Sequence, residues 1–107
     1  MMNIKEMMKQ AKQVQQKLEE IQEKLKDIDV QGTSGDGLVT VTVSCAHEVR
    51  AVSIDPSLLN AGGKEILEDL IVAAFGHAND VKDERIKEET HKMTASLGVD
   101  EKTKFPF

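Results

Sequence analysis

The chain of 107 residues has very few aromatic side chains. It contains three Phe, no Trp and no Tyr, and two of the Phe stand among the last three residues. Phe75 is therefore the only aromatic residue placed to join a core, which must otherwise consist of Val, Ile, Leu and Met. Because such a core is modest for this length, dimerisation would help the chain to gain buried area.

Other absences exclude whole classes of protein. The single cysteine, Cys45, cannot form an intramolecular disulfide, and no apolar run reaches the eighteen residues of a membrane-spanning helix. The chain also lacks a leader in which charged residues precede an apolar stretch. We therefore expect a reduced, soluble, cytoplasmic protein without a membrane partner.

Side chains that could perform catalysis or hold a metal are scattered along the chain. The three histidines, His47, His77 and His91, are far apart, and Cys45 with His47 forms one Cys-x-His pair without a second pair at zinc-site spacing. Residues 62–64, Gly-Gly-Lys, lack the glycine pattern of a phosphate-binding loop. Surface and turn roles explain these residues more simply, so we expect no enzyme, catalytic residue, metal, cofactor or small-molecule substrate.

An apolar stripe of helical spacing occupies the first quarter of the chain. Its members alternate between spacings of three and four: Ile4, Met7, Ala11, Val14, Leu18, Ile21, Leu25 and Ile28. Asn3 suits an N-cap, and neither Gly nor Pro occurs before Gly32. The pattern predicts a projecting helical arm over residues 3–29, about 40 Å long. Its stripe would pack on the chain's other long helix or on a second chain.

Charge is distributed unevenly along this predicted arm, although the formal net charge of the chain is −5. Residues 1–18 hold four Lys and one Glu, whereas residues 19–29 hold five acids and two Lys. Lys5, Lys9 and Lys12 share one helical face, and Lys17 is rotated away from it. A solvated face is the simpler explanation; the functional alternative is contact with successive phosphates, without base readout.

The middle of the chain predicts a three-stranded antiparallel meander over residues 30–55. Its turn signals are Asp36-Gly37 and residues 45–48. Strict alternation in the second strand predicts one buried face and one that is at least partly wet. The buried face comprises Val39, Val41 and Val43, and the other comprises Thr40, Thr42 and Ser44.

Residues 56–96 predict a helical C-terminal part. Asp55-Pro56 is a helix-start signal, residues 60–63 interrupt the pattern, and it resumes at Lys64. The resumed helix begins with a broad apolar face, suited to a sheet or a subunit interface, and turns polar beyond Val81. That face includes Leu67, Leu70, Ile71, Ala74 and Phe75. We expect residues 97–107 to form a flexible tail.

Four short motifs follow one another along the chain. They are Met7-Met8-Lys9-Gln10-Ala11, Gly32-x-Ser34-Gly35-x-Gly37-Leu38-Val39, Ile54-Asp55-Pro56-Ser57-Leu58-Leu59 and Glu68-Asp69-Leu70-Ile71-Val72-Ala73-Ala74-Phe75. Taken in this order, they resemble the YbaB/EbfC family of bacterial nucleoid-associated DNA-binding proteins. The ending Phe105-Pro106-Phe107 is also similar. The resemblance covers nearly the whole chain, which is expected to be a single domain over residues 1–107.

The resemblance implies an α+β fold in the order α-β-β-β-α, with a small antiparallel sheet and two long projecting helices in a tweezer-like homodimer. It also implies a cytoplasmic, nucleoid-associated protein that binds duplex DNA, alters its conformation and contributes to nucleoid organisation and gene regulation. The DNA-binding candidates are Lys5, Lys9, Lys12, Lys17, Lys82, Arg85, Lys87 and Lys92. The core and dimer candidates are Val39, Val41, Val43, Leu67, Leu70, Ile71, Ala74 and Phe75.

Two features qualify this implication. Gly76-His77 stands where relatives have Asn and Asp, and a helical Gly costs about 1 kcal/mol relative to Ala, so the second arm could bend there. Acids also balance the cations of that arm, which favours the N-terminal arm for phosphate contact. The alternative function is a coiled-coil adaptor or holdase that grips an apolar client with Met7, Met8 and Val14.

Overall fold

A computed structural model describes residues 3–95, apart from the side chain of Thr94, and confirms the predicted order α-β-β-β-α. Its elements are α1 (Ile4–Lys26), β1 (Asp29–Ser34), β2 (Val39–Ser44), β3 (Val49–Ile54) and α2 (Lys64–Thr94). Short 3-10 turns occupy Gly35–Gly37 and Pro56–Leu58. The predicted tail over residues 97–107 lies outside the described part of the chain.

Local side-chain contacts set the limits of α1. The Asn3 side-chain oxygen accepts a hydrogen bond of 2.8 Å from the Glu6 amide, which satisfies a free N–H group of the first turn. At the other end, the Arg50 guanidinium donates to the Lys26 carbonyl oxygen at 2.8 Å. The helix therefore ends three residues before Asp29, the predicted limit, and Asp29 instead begins β1 opposite Ser44.

The three strands form an antiparallel meander in the order β1-β2-β3. A register shift between Thr42 and Val43 interrupts the pairing of β2 with β3. Beyond this irregularity Ser44 is fully buried, although the alternation placed it on the partly wet face. Its hydroxyl accepts hydrogen bonds of 3.1 Å from the amides of Ala46 and Glu48, so burial leaves it satisfied within the tight turn.

The first half of α2 lies across one face of β1 and β2. Val39, Val41 and Val43 are buried beneath it together with Ala74 of the helix itself, and the hydrophobic members of the α2 face at 67, 70, 71 and 75 are half-buried against this core. The closest approach is at Gly32, where a side chain would overlap the backbone of Ala74 and Ala78. Small residues on both elements therefore let strand and helix pack backbone to backbone.

The helix α2 also secures the outer edge of the sheet. The Thr33 amide donates to His77 Nδ1 at 2.9 Å, and the Ser34 hydroxyl donates to the Leu70 carbonyl oxygen at 2.6 Å. The helix continues without interruption through Gly76 to Thr94, so the bend considered at Gly76 does not break it. The second half of α2 leaves the sheet, and the molecule measures 71 × 21 × 17 Å.

Candidate nucleic-acid interface

The C-terminal half of α1 packs against the second half of α2. Ile21 and Leu25 of α1 and Ile86 of α2 are buried there, with Leu18 and Met93 half-buried beside them. In this half of α1 the apolar stripe therefore packs on the chain's own second helix, which is one of the two predicted partners.

The two helices run in opposite directions. Near the sheet, the Cys45 amide donates to the Ile28 carbonyl oxygen, and further out Lys24 of α1 reaches Glu89 of α2. The C-terminal end of α1 lies at the sheet, whereas the second half of α2 runs away from the sheet. The N-terminal part of α1 and the C-terminal part of α2 therefore point in the same direction, away from the sheet. Because α2 ends at Thr94, only about 7 Å beyond Glu89, the first part of α1 extends roughly 20 Å past it. We call this part, residues 4–17, the tip.

The apolar stripe continues along the tip without a covering element among the described residues. The side chains of Ile4, Met7 and Met8 are 76%, 55% and 60% exposed, and Val14 is also exposed. Of the two predicted partners for the stripe, the chain's other long helix does not cover this half among the described residues, and a second chain stays a prediction. The described part of α2 is too short to reach it.

Three of the predicted DNA-binding lysines lie together on the tip. Lys5, Lys9 and Lys12 are exposed, and no salt bridge of the described residues involves them. Lys17 lies 3.5 Å from Glu20 at the end of the tip, and its side chain is half-buried. Glu6 is the only acidic residue of the tip, so the row of three lysines has a net positive potential around it.

The predicted cations of α2 lie elsewhere and are mostly engaged within the chain. Lys82 donates to the Asn79 side-chain oxygen at 3.2 Å, and Arg85 and Lys92 lie 3.1 and 3.7 Å from Glu89 Oε1. Lys87 is exposed and forms no salt bridge with the residues described. The structure thus groups Arg85 and Lys92 around one carboxylate, away from the lysine row of the tip.

Glu89 is the buried centre of this cluster. The Lys24 ammonium lies 2.7 Å from Oε2, outside the angular range of a well-formed hydrogen bond, so their contact is chiefly electrostatic. Lys24 lowers the pKa of Glu89, desolvation opposes this effect, and Arg85 and Lys92 lower the pKa further. Neither Lys24 nor Glu89 is among the functional residues predicted from the sequence. The spacing Arg85-x3-Glu89-x2-Lys92 on one helical face was the available signal.

Exchange of Glu89 for Gln is expected to weaken the packing of α1 on α2. The expected loss in the free energy of unfolding is only about 1 kcal/mol at neutral pH. It is small because the cations that pair with Glu89 are exposed and are hydrated again when the carboxylate is removed. Because the pKa of Glu89 is lower in the folded protein than its ordinary value of 4.5, the ionised carboxylate stabilises the folded state at a pH above 4.5. This stabilisation is lost as the pH falls through the lowered pKa of the folded state. Urea unfolding followed by circular dichroism should show a wild-type advantage that shrinks below pH 4.5. An advantage that grows on acidification would contradict this assignment.

The remaining arginine is also committed to internal contacts. Arg50 lies 3.3 Å from Asp29 and 2.8 Å from Glu48, in addition to its bond with the Lys26 carbonyl oxygen. Arg50 and Arg85 are the only arginines of the chain. Bidentate recognition of guanine would therefore require breaking an existing ion pair.

The described residues offer few other sites. Between residues 3 and 95, no group of three or more His, Cys, Asp or Glu side chains is placed to hold a metal ion. Cys45 is buried, and this burial raises the pKa of its thiol. Neither helix of the described chain has both the length and the apolar character needed to span a bilayer.

Comparison with known proteins identifies relatives of the chain. Two proteins named nucleoid-associated protein, from the TIE-1 and HaA2 strains of Rhodopseudomonas palustris, are each 46% identical to it over 93 residues. Each match covers 87% of this chain and 88% of the relative. The fold is also that of an uncharacterized protein from Helicobacter pylori, with a TM-score of 0.76 and 24% identity over 87% of this chain and 98% of the other. The sequence model of the YbaB/EbfC DNA-binding family matches residues 1–97. The chain therefore belongs to the YbaB/EbfC DNA-binding family.

Proposed function

We propose that this chain is a nucleoid-associated protein that binds duplex DNA through the phosphate groups, using the lysine row of its tip. The observation that carries the proposal is the projection of Lys5, Lys9 and Lys12 beyond α2 without an ion-pair partner between residues 3 and 95. Successive turns of one helix place their ammonium groups along a line, which suits the regularly spaced charges of a DNA strand. Its relatives carry the name nucleoid-associated protein, which supports the same function and a cytoplasmic, nucleoid location.

Local rather than overall charge must drive this binding. With a formal net charge of −5, the chain as a whole repels a polyanion. Lys12, the member of the lysine row nearest to the acidic second part of α1, lies about 10 Å along the helix from Glu19, and at physiological salt charges more than about 8 Å apart are largely screened. A projecting basic tip can therefore approach DNA while the body remains in solvent.

The proposal predicts a steep dependence of DNA binding on salt. If two tips neutralise about six phosphates, the logarithm of the association constant should fall with the logarithm of salt concentration at a slope of roughly −5. Fluorescence anisotropy with a labelled 30-bp duplex at several salt concentrations measures this slope. Absence of binding at low salt would refute DNA binding by this protein.

The proposal includes a homodimer, supported by an apolar surface beside β3. The helix α2 covers β1 and β2, whereas Val49 and Val52 of β3 remain exposed on the face that α2 occupies elsewhere. His77 marks the β1 side of α2, and at about 100° per residue Ile71 and Phe75 lie on the opposite flank. The neighbouring Val72, which is 73% exposed, extends this surface, which a second chain would bury.

Sedimentation analysis of two neighbouring variants tests the dimer. Wild-type protein is expected at twice the chain mass of 11.8 kDa. Val52→Glu should shift it towards the monomer, because the new charge would lie within the interface. Ala51→Glu is the matched control, since Ala51 is also exposed but points to the other face of β3. A monomeric wild type, or equal behaviour of the two variants, would refute this interface.

A protein-binding adaptor or holdase remains the second candidate, and the exposed Met7 and Met8 favour it. In that case Met7→Gln with Met8→Gln would abolish capture of an unfolded client protein, while charge reversal of the lysine row would leave it intact. Parallel measurements of client capture and DNA binding on the same two variants therefore distinguish the candidates.

DNA binding itself contributes to the proposed roles in altering DNA conformation, nucleoid organisation and gene regulation.

A further inference from the structure

The tip carries two features on adjacent sides of one helix. Around the helix axis from Ile4, the apolar residues Met7 and Met8 lie at about −60° and 40°, and the lysine row spans about 80° to 140° at 100° per residue. Glu6 lies on the far side, near about 200° by the same geometry. The lysine row thus borders the apolar stripe on the side of Met8, and Glu6 borders the row on its other side, away from the stripe.

A partner that fits both features must combine regularly spaced negative charge with an apolar surface between the charges. We propose that the tip docks in the major groove of duplex DNA, where Ile4, Met7 and Met8 contact the C5-methyl groups of thymine while the lysine row contacts the phosphates of one strand. This inference rests on the proposed function of DNA binding. It adds a base-contacting role for residues without hydrogen-bonding groups.

The dimensions of the groove select this docking mode. An α-helix with its side chains is about 10–12 Å across, which matches the major groove at about 12 Å and exceeds the minor groove at about 6 Å. Since the lysines border only one side of the stripe, a helix that turns them to one phosphate backbone directs the stripe towards the floor of the groove. Thymine methyl groups are the apolar feature of that floor.

The same arrangement determines which sequence preference can arise. Both arginines are engaged inside the chain, and the exposed apolar residues of the tip cannot donate or accept base-specific hydrogen bonds. The contacts of Ile4, Met7 and Met8 with the groove floor therefore discriminate between bases only by the presence of a methyl group. The expected result is a mild preference for duplexes rich in thymine, superimposed on phosphate-driven affinity.

A pair of duplexes that differ only in this methyl group tests the inference. The full chain is titrated by anisotropy into an A·T-rich duplex and into the same duplex with uracil in place of every thymine. Wild-type protein should bind the uracil duplex roughly threefold to tenfold more weakly, because each buried methyl group adds a small increment of affinity. The salt slope should be the same for both duplexes, since the phosphate contacts are unchanged.

Two variants complete the experiment. Met7→Gln with Met8→Gln should lose most of the difference between the two duplexes and keep the wild-type salt slope, and Gln maintains helix propensity close to that of Met. Gln10→Ala with Gln13→Ala, on the other side of the exposed tip, should retain the wild-type difference between thymine and uracil.

Each contrary outcome has a distinct meaning. Equal binding of thymine and uracil duplexes by the wild type would overturn the inference but leave DNA binding intact, whereas no binding of either duplex at low salt would overturn both. Slow peroxide oxidation of Met7 and Met8 in the free protein would show that a second copy or another segment covers the stripe. Vesicles of anionic phospholipid that bind the wild type but not the methionine variant would assign the stripe to lipid. Either of these last two results would also overturn the inference.

Discussion

Replacement of Gly32 by Val is expected to prevent stable folding. A Cβ atom at this position would overlap backbone atoms of Ala74 and Ala78 on α2, and backbone atoms cannot rotate aside as a flexible side chain can. The strand or the helix would have to move away, which would open the core formed with Val41 of β2. The expected loss exceeds about 3 kcal/mol, a large part of the stability of a small domain.

Gly76 provides the matched control for this prediction. It lies in the same helix between Ala74 and Ala78, yet a Cβ atom there would have no neighbour within 4 Å. Gly76→Ala should therefore stabilise the protein by up to about 1 kcal/mol, the difference in helix propensity. Urea unfolding followed by circular dichroism compares both variants with the wild type. A Gly32→Val protein with a wild-type unfolding midpoint would contradict the backbone contact described here.

The sequence predicted the elements well because each has a strong local signal. Asn3 caps α1 as expected, Asp36 and Gly37 turn the first hairpin, and Asp55 caps the short turn that follows β3. The Asp55 side chain accepts from the Ser57 amide at 2.9 Å, and this bond lowers the pKa of Asp55. Capping and turn formation depend on residues near one another in sequence, so one sequence suffices to predict them.

The extent of burial was harder to predict because it depends on where the partner element ends. The stripe of α1 has the same spacing throughout, yet Ile21 is buried and Ile4 is exposed. Spacing reports which residues share a face, and the reach of α2 decides how much of that face is covered. For the same reason the sequence did not predict the exposure of Val49 and Val52 beyond the edge of α2, and the register shift that brings both to one face of β3 has no local signal.

The candidate site was predicted in part. The lysine row was recognised from its spacing, and the structure places it on a projecting tip with no competing internal partner among the described residues. Arg85 and Lys92 were also candidates for DNA binding, although nearby acids already favoured the N-terminal arm, and both lie beside Glu89. The contribution of Lys24 to that cluster could not be foreseen, because it depends on the antiparallel packing of two helices that are distant in sequence.

Reversal of charge on the tip is expected to cause the largest loss of DNA binding. Lys5→Glu with Lys9→Glu would replace two phosphate contacts on each tip by repulsion. In a dimer with two tips the affinity should fall at least about a hundredfold near 0.1 M salt, because each lost contact removes the release of one counterion. Both residues are exposed, so the unfolding midpoint should change little.

The most direct measurement compares this variant with another of identical net charge. Lys26 and Lys64 are exposed away from the tip, and each pairs only with an exposed acid of its own helix, so Lys26→Glu with Lys64→Glu is the control. Anisotropy titrations with the same duplex at the same salt should show a loss of at least about a hundredfold for the tip variant and less than about threefold for the control. Equal losses, or undiminished binding by the tip variant, would contradict the claim that the lysine row of the tip binds DNA.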